Sequence, residues 1–463
     1  MINKPRIKIA SIGILSVFLG MGLTTGDIYL TILVTSVGIL SFTNRTSTGL
    51  PIARIFTGFY LYLFVFRYVV LVALNETPQL GRLEVGTDQL RENLILVSQA
   101  TILFLGILRT IKPKYESANH KANLNLWLMS EESNYFSNIL FILSFLGFAL
   151  MLFSSGSLEA LTNSLFYHQK ISITQNTFWQ LGLTLWSLFA TSALTLDLVK
   201  TIVHGGRYSR KILPLRSLFL LTVLVFVFGG RLSILIAGVI TYAFVKFLSL
   251  PMKKSWIALG FISAIVFLLI GGARIGSTAN ILDFKQTIIA TTYPVLDAAA
   301  LVTSNPSDIS NQLRSNERYS AYVKSLIPRF LWPSKPLLTN LTLDSQIANT
   351  FGYENQRGVT GWPSGFATEP YLIGGFIGTM TFVTILAIMF LVIQSRQNLA
   401  AGRKISGQIY IGDFALMYFL IAIVKDGDTF ASLQSGLRLY IWLSVLLLFS
   451  NALRSLQRGR IRS

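Results

Sequence analysis

The stretch LFLLTVLVFVFGGRLSILIAGVITYAFV, Leu218 to Val245, decides how this chain is laid out. It is almost continuously apolar, interrupted by GGR at Gly229–Arg231. As one helix it would be about 42 Å long at 1.5 Å per residue, well beyond a hydrocarbon core of ~30 Å. The flanks settle the choice. KTIVHGGRYSRK precedes the stretch and KFLSLPMKK comes after it. Both are basic, so both belong on the cytoplasmic side. The expectation is a hairpin that crosses outward, turns at Gly229-Gly230 and returns. Its arms reach a crossing length only if Ile212–Leu215 and Phe247–Leu250 join them. Arg231 then sits at the outer tip.

The rest of the chain extends this pattern. Its 463 residues are 52% hydrophobic and only 13% charged, with mean hydropathy +0.58. Soluble domains carry about 25% charged residues. The composition therefore excludes a single soluble core and implies a polytopic membrane protein. Its fold class is all-α. Apolar runs give twelve spans with cores near 7–23, 29–42, 52–74, 94–111, 136–154, 178–199, 218–228, 232–245, 256–271, 371–393, 409–424 and 439–453. The opening MINKPRIKIASIGILSVFLG has a basic end but no small-x-small cleavage site, and reads as the first span. With both termini in the cytoplasm, the basic tail RSLQRGRIRS becomes an inner anchor. Residues 1–272 carry spans one to nine, 273–367 an extracytoplasmic loop domain, and 368–463 spans ten to twelve with the tail.

That loop is too long to be a turn and calls for structure of its own. NILDFKQTIIATTYPVLDAAALVTS and NQLRSNERYSAYVKSL have apolar residues at helical spacing. They read as two amphipathic helices lying at the interface. A rigid elbow comes next, SLIPRFLWPSKP at Ser325–Pro336, in which Pro328 and Pro333 discourage helix.

The net charge of +19 would suggest nucleic acid in a soluble protein; here the question is which side carries it. Arg67, Arg231, Arg274 and Arg438 fall at outer span ends. The loop adds Arg314, Arg318, Lys324, Arg329, Lys335 and Arg357. The positive-inside pattern disfavours such a set, and an arginine within a span costs ~2.5–3.5 kcal/mol even on the lenient insertion scale. A diphosphate would account for it, since planar guanidinium groups bind phosphate oxygens in pairs. Snorkelling to lipid phosphates, or pairing with Asp283, Asp297, Asp308, Glu317, Asp344 and Glu354, is the plainer account. Arg231 and Arg274 each lie close to a pair of glycines, which lets a ligand approach the backbone.

Among acids, Glu369 in FATEPYLIGGFIG stands at the mouth of span ten, placed either to cap a helix or to accept a proton from a sugar hydroxyl. Asp283 and Asp297 are weaker candidates, and His168 is isolated. Trp332, Tyr322 and Trp362 are sugar-contact candidates within a set of loop aromatics that would equally suit an interfacial belt. Asp426 and Asp428 in KDGD lack a third ligand for a metal and read as a solvated turn. Cysteine is absent, only three histidines occur, and no nucleotide motif is present, so no cofactor and no metal is expected.

The twelve spans, the off-centre outer loop, IPRFLWPSKP, the GGR turn and TEPYLIGGFIG together resemble the oligosaccharide repeat-unit polymerases, the Wzy-type O-antigen and exopolysaccharide polymerases of bacteria. In that family a proline-arginine-tryptophan-lysine-proline stretch recurs in the loop, and a glutamate followed by an aromatic and glycines opens the next span. Here Pro370 comes directly after the glutamate. The resemblance implies a GT-C-like glycosyltransferase of the bacterial cytoplasmic membrane acting on its outer face. Donor and acceptor would be undecaprenyl-diphosphate-linked oligosaccharides. The other partners would be membrane lipid and, as an open question, a chain-length regulator; nucleic acid would not be one. Glu369 would orient or deprotonate the attacking hydroxyl. Arg231, Arg274 and Arg329, supported by Arg318 and Lys335, would hold the departing lipid diphosphate. An O-antigen ligase-type transferase and a lipid-linked oligosaccharide flippase or transporter remain the alternatives.

Overall fold

The computed structural model describes residues 27–43, 51–80, 83–110, 118–165, 177–203, 212–226, 231–250, 289, 292, 294–307, 320, 323–324, 327, 332, 343–350, 363–400 and 406–462. Apolar segments in lipid must satisfy their own backbone groups, and these do so as helices. In order they are α1 (Ile28–Thr43), α2 (Ile52–Ala73), α3 (Thr87–Thr110), α4 (Ala118–Leu128), α5 (Glu131–Ser155), α6 (Leu158–Leu165) and α7 (Thr177–Val203). Then come α8 (Ile212–Phe226), α9 (Arg231–Phe247), α10 (Val295–Ser304), α11 (Leu343–Thr350), α12 (Thr368–Ala400), α13 (Ser406–Asp426) and α14 (Thr429–Arg462). The one strand pair among the described residues is a ribbon between α2 and α3, Gln79–Leu80 against Leu83–Glu84.

The deciding stretch is two helices. α8 starts at Ile212 and so takes in the first flank, α9 stops at Phe247 and takes in only the first residue of the second, and the two pack on each other. Among the described residues, seven helices are long and apolar enough to cross a membrane: α2, α3, α5, α7, α12, α13 and α14. The expected spans at 29–42, 218–228 and 232–245 are shorter apolar helices. Those at 7–23 and 256–271 lie outside the described residues.

The tightest seam joins α5 and α7. A Cβ on Gly147 would lie 2.8 Å from the Gly182 carbonyl oxygen, and one on Gly182 would lie 2.7 Å from that of Gly147. Two backbones in direct contact are what small residues permit where no hydrophobic force drives helices together. At one end of this seam the start of α5 meets the end of α7 and the start of α8. Asp197 and Arg216 form an ion pair of 3.2 Å. Ser137 and Asn138 bond to that pair, and Lys200 donates to Asn134. Nearby, His120 of α4 meets Asp413 of α13 at 2.8 Å.

Two expectations need correction. Helix α10, read as half of an interfacial amphipathic pair, is buried on all sides from Val295 to Val302 and packs against α2, α3 and α12. Small residues, LDAAAL, let it fit there. Of the second expected helix, Ser320, Val323 and Lys324 are helical and exposed; its remainder lies outside the described residues. Span ten is also not one helix from its start. Gly374 (φ −146°, ψ 20°) and Gly375 (φ 59°, ψ −149°) break α12, the second in a region open to glycine. The Thr379 hydroxyl donates to the Ala367 carbonyl at 3.3 Å, twelve residues back, where a continuous helix would separate them by about 18 Å. The short helical piece carrying Glu369 therefore folds back onto the long one.

Candidate functional site

This doubling back places Glu369 inside the bundle. Its side chain is 2% exposed, and Oε2 accepts the Thr429 N–H at 2.7 Å. Thr429 opens α14, so Glu369 caps a neighbouring helix rather than its own. The turn before it is bound to the same place. The N–H groups of Ser364 and Gly365 donate to the carbonyls of Asp426 and Lys425, at 3.4 and 3.1 Å. A Cβ on Gly427 (φ +72°) would lie 2.0 Å from the Gly365 carbonyl oxygen, and one on Gly365 (φ +77°) would lie 2.3 Å from Phe64 Cζ, so neither position admits one. Phe366, one residue on, packs edge-on to Phe56 and Phe64 of α2.

The KDGD turn is therefore half of the site, which corrects its reading as a turn in solvent. Asp428 is 1% exposed. One of its oxygens caps α14 through the Ala431 N–H, and the other accepts the Leu343 N–H at 2.9 Å, drawing the loop helix α11 to the same point. Lys425 and Asp426 pair at 2.5 Å. Deeper in the bundle Arg438 shares the electrostatic surroundings of Tyr418 with Lys425 and Asp426, and its Nε is buried without a hydrogen-bond partner among the described residues. No group of three or more histidines or carboxylates able to hold a metal occurs among the described residues.

Arg67 drops out of the set of free outer cations. Its Nε lies 3.1 and 3.2 Å from the two Asp297 oxygens, and Nη2 lies 2.5 Å from Oδ2. Nη1 donates to the Ile289 carbonyl and the Thr292 hydroxyl. Arg67 comes just after a π turn at Leu61–Val65, which adds a residue to the helix and shifts the register of its C-terminal half. Asp297, a candidate acid in the sequence, is wholly engaged in fastening α10.

Of the other expected site residues, Arg231 is the first residue of α9, and its side chain lies outside the described residues. So do Arg274, Arg318, Arg329, Lys335, Tyr322, Trp362, Asp283 and His168. Trp332 is half-buried. The structure also reveals an open cleft of about 530 Å³, lined by Asp27, Tyr68, Asp88 and Arg91, that the sequence reading passed over. The Arg91 guanidinium beside Asp27 holds its carboxyl below the usual range, helped by the Leu30 N–H. Only the pairing of an aspartate before one span with an arginine one turn into another could have signalled it.

No protein-family model, curated protein or solved structure matches this chain. What the site can do rests on its chemistry. It holds a buried carboxylate pinned by a backbone N–H, beside a helix break and a turn of alternating charge. Such a carboxylate accepts hydrogen bonds and, from a suitably placed hydroxyl, a proton.

Proposed function

We propose that this protein is a membrane-embedded glycosyltransferase of the Wzy-type polymerase kind. It joins undecaprenyl-diphosphate-linked oligosaccharide units into a surface polysaccharide on the outer face of the bacterial cytoplasmic membrane, with both termini inside. One observation carries the reading: Glu369 is buried at a break in a membrane helix, where irregular backbone is tolerated when it is packed in protein or lines a cavity. Discontinuous helices of this kind accompany binding sites in membrane proteins.

In the proposed step, Glu369 takes the proton of the acceptor hydroxyl as its oxygen bonds to the donor sugar's anomeric carbon. The bond from that carbon to the lipid diphosphate breaks, and the diphosphate leaves with the electron pair. The sugar passes through an oxocarbenium-like state. Guanidinium groups in a poorly hydrated site stabilise the departing charge more than water would. Arg231, Arg274 and Arg329, with Arg318 and Lys335, are assigned that role, and Arg438 joins them on a buried Nε that has no hydrogen-bond partner among the described residues. Trp332, Tyr322 and Trp362 would contact sugar. The reading includes no metal and no nucleotide.

The test uses full-length protein in nanodiscs with a lipid-linked repeat unit. A ladder of longer products is expected. Glu369→Gln keeps an oxygen for the Thr429 N–H but cannot take a proton, so it should slow the ladder by about 10²–10⁴ without changing the melting temperature. A wild-type ladder from that variant would refute the assignment. Movement of the substrate across vesicles with its length unchanged would instead identify a flippase. Product only upon addition of a second type of acceptor would identify a ligase.

A further inference from the structure

A groove of about 250 Å³ runs along the bundle between α2 and α9, both of which lean on α13. One wall is Arg54, Gly58 and Tyr62 of α2; the other is Leu235, Val239 and Tyr242 of α9. Each wall repeats at helical spacing, so the groove runs parallel to the helix axes. It is open along its length, and a Cβ built on Gly58 meets nothing within 4 Å. Its lining is apolar apart from the two tyrosine hydroxyls and one guanidinium.

That guanidinium is the anomaly. The Arg54 Nε is buried and has no hydrogen-bond partner among the described residues. A guanidinium in an apolar setting is expensive unless an anion meets it. One turn beyond Tyr242, exposed Lys246 in the last turn of α9 adds a second cation at the same end of the groove. This end is remote from the candidate catalytic residues. Arg54 and Arg67 are thirteen residues apart on α2, about 20 Å along its axis, and Arg67 marks the end at which α10 is fastened. A diphosphate poised for reaction near Glu369 would not have its charge here.

We propose that the groove holds one anionic glycerophospholipid of the bilayer. Its phosphate bonds to the Arg54 guanidinium with Lys246 nearby, and one acyl chain lies over Gly58 between Tyr62 and Leu235. Arginine suits the headgroup because it offers paired donors to phosphate oxygens. The lipid fills the gap between two helices and supplies a partner for an Arg54 Nε that has none among the described residues.

Native mass spectrometry of the full-length protein, delipidated in detergent and titrated with phosphatidylglycerol, tests this. The wild type should hold one phosphatidylglycerol at least several-fold more tightly than phosphatidylcholine. Arg54→Gln should weaken that binding about tenfold, as expected for loss of a charge-assisted bond. Gly58→Leu, whose side chain grows into open space, should abolish it while leaving the melting temperature of the lipid-free protein unchanged. Equal phosphatidylglycerol retention by all three proteins would overturn the proposal. So would a preference for polyprenyl phosphate over phosphatidylglycerol, or a photo-crosslink from position 235 to residues 256–271 of the same chain. None of these readouts depends on glycosyl transfer, so the lipid site and the polymerase reading stand or fall separately.

Discussion

Removing the Asp297 carboxylate should cost this protein more than removing the whole ion pair to which it belongs. The Asp297 side chain is 1% exposed and that of Arg67 6%. Asp297→Ala strands a guanidinium that then keeps, among the described residues, the Ile289 carbonyl and the Thr292 hydroxyl. Breaking one side of a buried pair costs about 3–5 kcal/mol, because the remaining charge stays desolvated. Arg67→Met with Asp297→Leu removes both charges and fills the space with apolar atoms, an exchange that elsewhere is neutral or stabilising by about 1–4 kcal/mol. The double variant should therefore unfold at a higher denaturant concentration than Asp297→Ala alone. The assay is equilibrium unfolding in mixed micelles across the full double-mutant cycle, with proteolysis of residues 289–304 as a local readout. Asp297→Ala alone should make that segment cleavable. A stability loss below about 1 kcal/mol for Asp297→Ala, or additive single variants, would refute the account of the pair as the fastener of α10.

Glycine packing and one carboxylate at the edge of the bundle give two further outcomes. Gly147→Leu drives a side chain into the Gly182 carbonyl and should destabilise the α5–α7 seam by about 1–3 kcal/mol or more, measured by the same unfolding assay; Gly106→Leu, whose Cβ meets nothing within 4 Å, is the control and should change little. Asp27 has its folded pKa lowered by Arg91, so its contribution to stability is fully present above the ordinary aspartate value of about 3.9 and is lost as the pH falls through the lowered one. The melting-temperature gap between wild type and Asp27→Asn, tracked from pH 7 downward, should hold to about pH 5 and then close.

Two glycine pairs show how far the sequence could be read. At Gly229-Gly230 basic segments flank the apolar stretch on both sides, which calls for a stretch divided into two arms. Two helices, Ile212–Phe226 and Arg231–Phe247, stand on either side of that pair. At Gly374-Gly375 no basic segment stands on either side to demand a return, so an identical dipeptide carries no sign of a fold-back. The same limit hid the site. Glu369 was visible as an acid at a helix start, but the helix that it caps begins sixty residues later, at Thr429. Asp428 read as solvated because nothing local says that Leu343 will donate to it. Likewise the sequence leaves Arg67 between an anion ligand and a pair with one of six loop acids, since the partner that decides it lies 230 residues away. Local periodicity specified which segments are helices; partners far apart in the chain specified which charges are spent on the fold.

The Arg67–Asp297 separation bears on how the protein is made. A ribosome adding about 5–20 residues per second takes roughly 10–50 s to supply the acid after the base. Throughout that interval the nascent span Ile52–Ala73 must stay in the bilayer with an unmatched cation, at ~2.5–3.5 kcal/mol on the insertion scale. Its mean hydropathy of 1.9 is what retains it there. Biogenesis thus has a late step, the docking of Val295–Ser304 onto the earlier Ile52–Ala73 and Thr87–Thr110 and then against the later Thr368–Ala400, and a stalled or truncated product would be recognisable to quality-control proteases by that waiting arginine.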